Sequence, residues 1–393
     1  MGSFALLAFY AQGMAENDLA AMYRQQVQPF QPLDNPSFRT SDVSIVLATV
    51  HPDAQFVRCL NTWLSNLPKE IIIVTIPRDV PSVEAFVARV DRDQDKIRIL
   101  TADKANHRAQ QIRGIKAATG SIIAMVDDDT FVSPDVLRWR MAALEDPKVA
   151  GFTGIHHPDI PTSRRSSADT TCWEAFSIRG LYNFNAMAMT RFGTDGGVWC
   201  LIGCSQVLRA EVVQDPAFLD AFENQTWRGT PIKTGGDTWM TRLLMKQGHK
   251  LAFQSAPEAT VYTTPKFDSG VVWQMARWLR LLITLWYMHQ YNRTYQQFFG
   301  KFPWLGHHAK TLFLYDTVGW FFMEMYVWAT MAEETWVHKN GKTGNDGQEP
   351  GKAEESDSSD STFNVSDEES SVEDFWIMVE EDEASTGDFR SHR

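Results

Sequence analysis

Between Val43 and about Tyr262 the chain alternates two kinds of apolar segment, and this alternation restricts the fold more than any other feature. One kind is a short, nearly continuous apolar run, typical of a strand that is buried on both faces. The other carries apolar residues at helical spacing. Such strands separated by amphipathic helices predict an α/β fold with a mostly parallel sheet between layers of helices. Before the midpoint of the chain, the predicted strands are 43–50, 70–76, 96–100 and 121–126, and the predicted helices are 53–67, 82–90 and 105–120.

Three consecutive aspartates, residues 127–129, directly follow the fourth predicted strand. Ligands of parallel sheets bind beyond the carboxyl ends of the strands, so the aspartates lie at a ligand-binding edge. Side chains alternate along a strand, which predicts that Asp127 and Asp129 face one way and Asp128 the other. Two such carboxylates suit Mg²⁺ or Mn²⁺, which can bridge to a diphosphate. The alternative is a turn that caps a helix beginning at Ser133-Pro134.

The net charge of −12 is concentrated in residues 339–393, which contain 16 acidic and 5 basic side chains. The rest of the chain is nearly neutral and has no basic stripe, so nucleic acid is not an expected partner. The acidic tail is rich in Gly and Ser, which predicts a solvated, disordered segment. The alternative is an interaction segment at residues 373–382.

Four cysteines are too few for a disulfide framework, and we expect them to be reduced and packed.

Two apolar segments follow Gly270. Residues 271–299 are aromatic and amphipathic. Residues 311–332 have the length of a bilayer span but contain Asp316 and Glu324, each costing about 3 kcal/mol at mid-membrane. The second segment is therefore compatible with a span or with a helix lying on a membrane. The amino-terminal run FALLAFYA is too short for a span and has no basic residues before it, so we do not expect a signal peptide there.

Two later motifs follow the aspartates in order. Asp237 comes after a Gly-Gly pair at a predicted helix start, and 37 residues later the chain reads Gln274-x-x-Arg277-Trp278. The order D-x-D, G-G-D, Q-x-x-R-W resembles that of the processive family 2 glycosyltransferases, which include cellulose, hyaluronan and fungal capsule-type polysaccharide synthases. The resemblance covers about residues 42–300 and implies a GT-A nucleotide-sugar-binding domain. The haloacid dehalogenase phosphatases also begin with strand-Asp-x-Asp, but Phe131 stands where they have Thr or Val.

The resemblance implies an inverting transfer from a UDP-sugar to a saccharide hydroxyl. Asp127 and Asp129 then hold the cation and the diphosphate, and Asp237 deprotonates the acceptor hydroxyl. Gln274 and Arg277 bind diphosphate oxygens, Arg277 through its planar fork.

The acceptor side and the nucleotide side are implied by weaker matches. Trp278 offers a flat face for stacking against the acceptor sugar. Residues 203–205 (Gly203, Cys204 and Ser205) stand where the family has a small-residue turn near that sugar. Lys104 and Arg108 stand where the family has nucleotide-binding cations.

The chain departs from the family pattern at two positions. Thr75 stands where an acidic residue usually contacts uridine, with Asp79 four residues later. In the first strand turn, His51 and Asp53 stand where the nucleotide base would rest, and an ordinary βα turn is the alternative. Gly236 replaces the usual acidic neighbour of the base. A catalytically lapsed homologue that acts as an interaction protein is therefore the alternative function.

Four segments are expected: a leader (1–40), the GT-A domain (41–270), membrane-proximal helices (271–338) and the disordered acidic tail (339–393). The expected partners are a UDP-sugar, a saccharide acceptor, a membrane surface and a membrane protein. We expect the catalytic domain on the cytosolic face of that membrane.

Overall fold

The structure, a computed structural model, describes residues 22–164, 170–227, 230–231, 235–271, 274 and 301–302. Its strands are β1 (Val43–Ala48), β2 (Glu70–Thr75), β3 (Ile97–Thr101), β4 (Ile122–Val126), β5 (Thr130–Val132), β6 (Val149–Gly154), β7 (His156–Pro158), β8 (Ser205–Arg209), β9 (Thr226–Trp227), β10 (Thr230–Pro231), β11 (Lys250–Gln254) and β12 (Val261–Thr263). Its helices are α1 (Gln55–Leu64), α2 (Val80–Val87), α3 (His107–Ala117), α4 (Val136–Met141), α5 (Cys172–Asp195), α6 (Ala210–Val213), α7 (Pro216–Glu223) and α8 (Gly236–Lys246).

Seven strands form the central sheet in the order β3-β2-β1-β4-β8-β6-β11. Strand β8 is antiparallel to its neighbours β4 and β6, and the other pairs are parallel. The chain places β2 and β3 on one side of β1 and then returns to place β4 on the other side. A crevice forms at such a reversal, beyond the carboxyl ends of the two strands. The predicted mostly parallel sheet is confirmed, and the three aspartates follow β4 directly into this crevice.

Both faces of the sheet are buried, which explains why its strands are apolar without interruption. In β1, Ile45 and Leu47 belong to the hydrophobic core beneath α1, α2 and α4. Val46 points the other way, into the core beneath α3, α7 and α8. The sheet therefore lies between two helical layers, as the sequence predicts.

Helix α3 is held close to the crevice by a glycine and a buried amide. A Cβ at Gly114 would lie only 2.3 Å from Val46 Cγ1, so a larger residue would push the helix off the sheet. The Gln110 amide donates hydrogen bonds to the carbonyls of Thr49 (3.1 Å) and Val74 (2.9 Å), at the ends of β1 and β2. The first turn of α3 is thereby fixed at the carboxyl edge of the sheet.

The structure corrects two local predictions. Helix α4 begins at Val136, and Asp135 before it has the left-handed φ of 71°, so the predicted helix start at Ser133-Pro134 is wrong. The chain instead first forms the short strand β5, in a separate three-stranded sheet with β12 and β7. All four cysteines are free, as expected, but Cys172 is exposed and not packed.

Part of the segment predicted as a leader lies against the domain. The amide of Phe30 donates to Gln254 Oε1 (3.1 Å), and Gln254 Nε2 donates back to the Phe30 carbonyl (3.0 Å). The Ser37 hydroxyl donates to Glu145 Oε2 (2.7 Å). These bonds attach residues 30–37 beside the edge strand β11.

In the described part of the chain, none of the helices combines the length and the apolar character that crossing a membrane requires. Residues 311–332 and the acidic tail lie outside the described residues.

Glu70 joins three strands at the edge of the sheet opposite the crevice. Its carboxylate accepts hydrogen bonds from Ser44 Oγ (2.7 Å), from Thr119 N (2.8 Å) and Oγ1 (2.7 Å), and from Arg98 Nη1 (2.7 Å). Burial opposes ionisation, but these bonds together lower the pKa of Glu70 to about 2. Such a carboxylate stabilises the fold above its unfolded pKa of 4.5, and this stabilisation is lost as the pH falls toward about 2.

Replacing Glu70→Gln should therefore lower the free energy of unfolding by about 2 kcal/mol at neutral pH, because four donor groups lose a charged acceptor. The difference from the wild type should shrink as the pH falls below 4.5. Urea unfolding at several pH values measures both effects. An equal loss at every pH would contradict the assignment.

Candidate active site

The three aspartates form a turn at the crevice and do not extend the strand. Strand β4 ends at Val126 and β5 begins at Thr130, so strand alternation does not set the directions of the carboxylates. Asp128 turns toward β1, where its Oδ2 accepts a hydrogen bond from the Thr49 hydroxyl. Asp128 therefore closes the crevice between β1 and β4.

Asp127 and Asp129 both lie close to Cys204, in the loop before β8. Asp127 Oδ1 is 3.8 Å from His107 Nε2 in the first turn of α3. Asp129 Oδ1 is 3.5 Å from Thr263 Oγ1 at the end of β12. Burial, followed by the negative charges of both aspartates, raises the pKa of the Cys204 thiol. The two carboxylates that the sequence pairs therefore have a common neighbour.

Crowding makes this cluster unfavourable when it is fully ionised. Burial, then the charges of Asp127 and Asp128, raise the pKa of Asp129 to about 7, and the nearby Lys266 offsets only part of this. Burial also raises the pKa of Asp128, against the effect of the Thr49 hydrogen bond. Carboxylates that repel one another fit a divalent cation, which neutralises them.

Within the described residues, no three His, Cys, Asp or Glu side chains converge as a complete metal cage. A cation held by Asp127 and Asp129 therefore needs further oxygen ligands. Substrate phosphates commonly supply them to Mg²⁺, which is seldom bound by an all-protein cage.

Asp237 lies in the first turn of α8. Gly235, the residue just before α8, has a left-handed φ of 63°. Asp237 Oδ1 accepts the backbone N–H of Thr238 (2.7 Å), and Oδ2 would be 3.5 Å from a Cβ at Gly203. The charge of Asp237 also contributes to the raised pKa of Cys204. The charges of the aspartate turn and of the predicted base therefore all act on the Cys204 thiol.

The predicted acceptor turn is divided between two roles. Ser205 is 1% exposed, and its carbonyl and hydroxyl accept hydrogen bonds from Arg140 Nη2 at 2.6 and 3.2 Å. The hydroxyl also contacts His156 Nε2. Ser205 is therefore used to hold the turn in place, whereas Gly203 and Cys204 lie beside the carboxylates.

The two predicted nucleotide-binding cations are placed differently. Lys104 is exposed in the loop that precedes α3. Arg108 is only 5% exposed, and its Nη1 donates to the Phe222 carbonyl (3.1 Å) and to Gln225 Oε1 (3.0 Å). Burial lowers the pKa of Arg108 to about 10, against the attraction of Asp237. Arg108 is thus packed against α7 instead of facing solvent.

Of the Q-x-x-R-W motif, the structure describes Gln274, which is half-buried and helical. Arg277 and Trp278 lie outside the described residues, so their diphosphate and acceptor roles remain predictions.

The structure also shows an arrangement that sequence reasoning did not assemble. Asp79, just after β2, is 5% exposed and accepts hydrogen bonds from the backbone N–H of His51 (3.1 Å) and from Arg78 Nε (3.0 Å). Burial opposes ionisation, but these contacts lower the pKa of Asp79. The signal in the sequence was an acidic residue shortly after the second strand, close to where the family has one.

A family model described as glycosyltransferase-like family 2 matches residues 41–280. The chain belongs to the family 2 glycosyltransferases. The protein "NDP-glycosyltransferase ltbB" of Aspergillus luteorubrus is 32% identical over 275 residues, covering 70% of this glycosyltransferase and 67% of that protein. A "Type 2 glycosyltransferase" of Zymoseptoria tritici is 31% identical over 250 residues, covering 63% of this chain but only 51% of that protein.

Among solved structures, the mannosyltransferase PcManGT from Pyrobaculum calidifontis superposes with a TM-score of 0.50 at 15% identity, covering 84% of this glycosyltransferase and 91% of that chain. At this identity the likeness shows the fold alone. The GT-A fold predicted for the domain is thereby confirmed. The processive synthase subtype stays a prediction.

The raised pKa of Asp129 predicts a stability effect that depends on pH. An aspartate with a pKa of about 7 in the folded state and 3.8 when unfolded destabilises the fold progressively between those values, and fully above pH 7. In metal-free protein, Asp129→Asn should raise the free energy of unfolding by about 2 kcal/mol at about pH 8, with a much smaller gain near pH 5.

Urea unfolding in the presence of a chelator measures this gain. The exposed Asp95→Asn is the matched control and should change little at either pH. A loss of stability on Asp129→Asn at about pH 8 would show that the crowding inferred here is absent.

Proposed function

We propose that this family 2 glycosyltransferase transfers a sugar from a UDP-sugar to a hydroxyl of a saccharide acceptor, with inversion and with Mg²⁺ or Mn²⁺. One observation supports the proposal: the charges of Asp127, Asp129 and the predicted base Asp237 all act on the Cys204 thiol, and Asp237 Oδ2 would be 3.5 Å from a Cβ at the neighbouring Gly203. Transfer of a sugar needs these two functions close together, one at the leaving diphosphate and one at the attacking hydroxyl.

Asp127 and Asp129 are the residues that would hold the cation. Their crowding, seen in the raised pKa of Asp129, fits this role. When bound, such a cation neutralises the departing diphosphate. Support for a divalent ion comes from PcManGT, whose structure is described as a complex with GDP-Man and Mn²⁺. The name of ltbB likewise specifies a nucleoside diphosphate donor.

Asp237 accepts the proton of the acceptor hydroxyl. As the proton leaves, the acceptor oxygen forms a bond to the anomeric carbon, and the bond from that carbon to the diphosphate oxygen breaks with its electron pair going to UDP. Attack from the opposite face inverts the configuration. The small Gly203 beside Asp237 Oδ2 leaves space there for an acceptor hydroxyl.

The nucleobase is proposed to lie against Asp79, His51 and Arg78. The proposal of UDP rests on the family resemblance. In the family, an acidic residue at the end of the second strand usually contacts uridine, whereas here Asp79 lies after that strand and accepts hydrogen bonds from His51 and Arg78. The test must therefore include a GDP-sugar as well as UDP-sugars.

The membrane setting is also a proposal. It places the catalytic domain on the cytosolic face of a membrane, with residues 271–338 at its surface and a membrane protein as partner. Support comes from the amphipathic, aromatic character of residues 271–299.

The first experiment is a screen of UDP-glucose, UDP-N-acetylglucosamine, UDP-glucuronate and GDP-mannose for metal-dependent release of the nucleoside diphosphate, with and without saccharide acceptors. Release of UDP that depends on Mn²⁺ or Mg²⁺ and increases with acceptor supports the proposal. Binding of UDP with Mn²⁺ but no turnover would favour the lapsed homologue.

Removing the base should abolish turnover and preserve donor binding. We expect Asp237→Asn to lower kcat by about 10³-fold, because a positioned base contributes about 10²–10⁴-fold. The affinity for UDP and Mn²⁺, measured by calorimetry, should stay within about twofold, whereas Asp127→Asn should weaken it by at least about tenfold. Asp95→Asn is again the exposed control. Full turnover by Asp237→Asn would show that another group is the base.

A further inference from the structure

The loop before β8 and the first two turns of α8 are joined by the buried hydroxyl of Thr241. The Leu201 N–H donates to Thr241 Oγ1 (2.8 Å), and this hydroxyl donates in turn to the Asp237 carbonyl (2.7 Å). Leu201 and Thr241 are both 0% exposed. One hydroxyl therefore links the loop that leads to the predicted acceptor turn with the residue that is the predicted base.

The bond from Leu201 is what distinguishes this threonine from others in helices. A helical threonine often donates to the carbonyl four residues earlier, so the bond to Asp237 alone would be ordinary. The Leu201 N–H, in contrast, belongs to a segment 40 residues away in the chain. A buried backbone N–H needs an acceptor, and Thr241 supplies it here. Because the hydroxyl accepts one bond and donates the other, both of its partners are held in a defined direction.

The start of α8 depends on contacts of this kind. Gly235 stands at the N-cap position and has no side chain that could cap the helix. Asp237 Oδ1 accepts the N–H of the adjacent Thr238, a bond within the same turn. The loop supplies a second contact beside that of Thr241, since the Thr238 hydroxyl lies 3.3 Å from Cys200 Sγ. The first turn of α8 is thus fixed in part by the loop before β8.

The same loop carries the acceptor turn toward the base. Gly203 follows Leu201 by two residues, and a Cβ there would be 3.5 Å from Asp237 Oδ2. Between them, the Ile202 N–H donates to Thr153 Oγ1 (3.3 Å), on β6. A loop that moves at Leu201 therefore changes the separation of Gly203 and Asp237.

We propose that Thr241 is a positioning residue for the transfer step: its hydroxyl sets the separation between the predicted base Asp237 and the acceptor turn at Gly203. This inference rests on the proposed function, in which the acceptor hydroxyl reacts beside Asp237. A displacement of about 1 Å between reacting groups can cost about 10²-fold in rate. The aspartate turn has a separate bond, to the Thr49 hydroxyl, so we expect donor binding to be independent of Thr241.

The test compares Thr241→Val, which removes the hydroxyl at nearly constant size, with Thr241→Ser, which keeps it. We expect Thr241→Val to lower kcat by about 30-fold, because the loop and the base are no longer bonded through one group. The affinity for UDP and Mn²⁺, measured by calorimetry, should stay within about twofold. Thr241→Ser should return kcat to within about threefold of the wild type, since its hydroxyl can make both bonds.

Thr190→Val, on α5, is the matched control. The Thr190 hydroxyl donates to the Ala186 carbonyl four residues earlier (2.8 Å), as Thr241 does to Asp237, but within α5. This variant should keep kcat within about twofold of the wild type.

Hydrogen exchange tests the bond itself and needs no turnover. In Thr241→Val, the Leu201 amide should exchange at least about tenfold faster than in the wild type, and Thr241→Ser should restore slow exchange. An equally slow Leu201 amide in Thr241→Val would show that Thr241 does not anchor the loop and would overturn the inference.

Thr241→Ala provides a second variant should Thr241→Val fold poorly, because it places no methyl group against the Leu201 N–H. It should still lower kcat by at least about fivefold with UDP affinity kept. Wild-type kcat in this variant would contradict the proposal.

Other kinetic results would also overturn the inference. A kcat as low in Thr241→Ser or in Thr190→Val as in Thr241→Val would show that the hydroxyl bridge is not the cause. A loss of UDP affinity that matches the loss of kcat would indicate a general structural role. Absence of turnover by the wild type with every donor would overturn the proposed function and this inference with it, whereas wild-type turnover with unchanged kcat in Thr241→Val overturns the inference alone.

Discussion

The crevice between β1 and β4 is the constraint on which the rest of this glycosyltransferase depends. The sheet grows outward from β1 in both directions, so the loops after β1 and β4 separate at their carboxyl ends. The structure joins the base of this opening with two polar contacts, the Thr49 hydroxyl to Asp128 and the Gln110 amide to the ends of β1 and β2. These bonds occupy polar groups that would otherwise be buried without partners, and they give the aspartate turn and α3 fixed positions.

Charge is the second organising element. The cleft concentrates carboxylates, and burial followed by the charges of Asp127 and Asp128 raises the pKa of Asp129 to about 7. Such an arrangement is unfavourable for folding and useful for binding a cation, since the repulsion is relieved only when positive charge arrives. The buried Arg108 lies beside α8, with its Nε 3.9 Å from where a Cβ at Gly236 would be.

The division of labour among neighbouring residues follows from burial. Ser205 and Cys204 are adjacent in sequence, yet the Ser205 hydroxyl is bonded to Arg140 and contacts His156, whereas the pKa of the Cys204 thiol is raised by burial and by the charges of the site carboxylates. Similarly, Lys104 is exposed while Arg108 is packed against α7. A motif match assigns such neighbours a common role, because it contains no information on which side chains point inward.

The sequence by itself determined the parallel α/β architecture and the edge at which the site lies. The reason is that strands buried on both faces and amphipathic helices leave a strong local pattern, and ligand edges follow from strand polarity. It also predicts site roles for Asp127, Asp129 and Asp237, since three carboxylates in ordered motifs leave a readable signal. Only the tertiary structure decided that Asp128 bonds to Thr49, that Asp79 accepts from His51, and that Arg108 lies behind Gly236. Each of these contacts joins segments far apart in the chain, and their geometry is set by how the helices pack on the sheet, which no local pattern encodes.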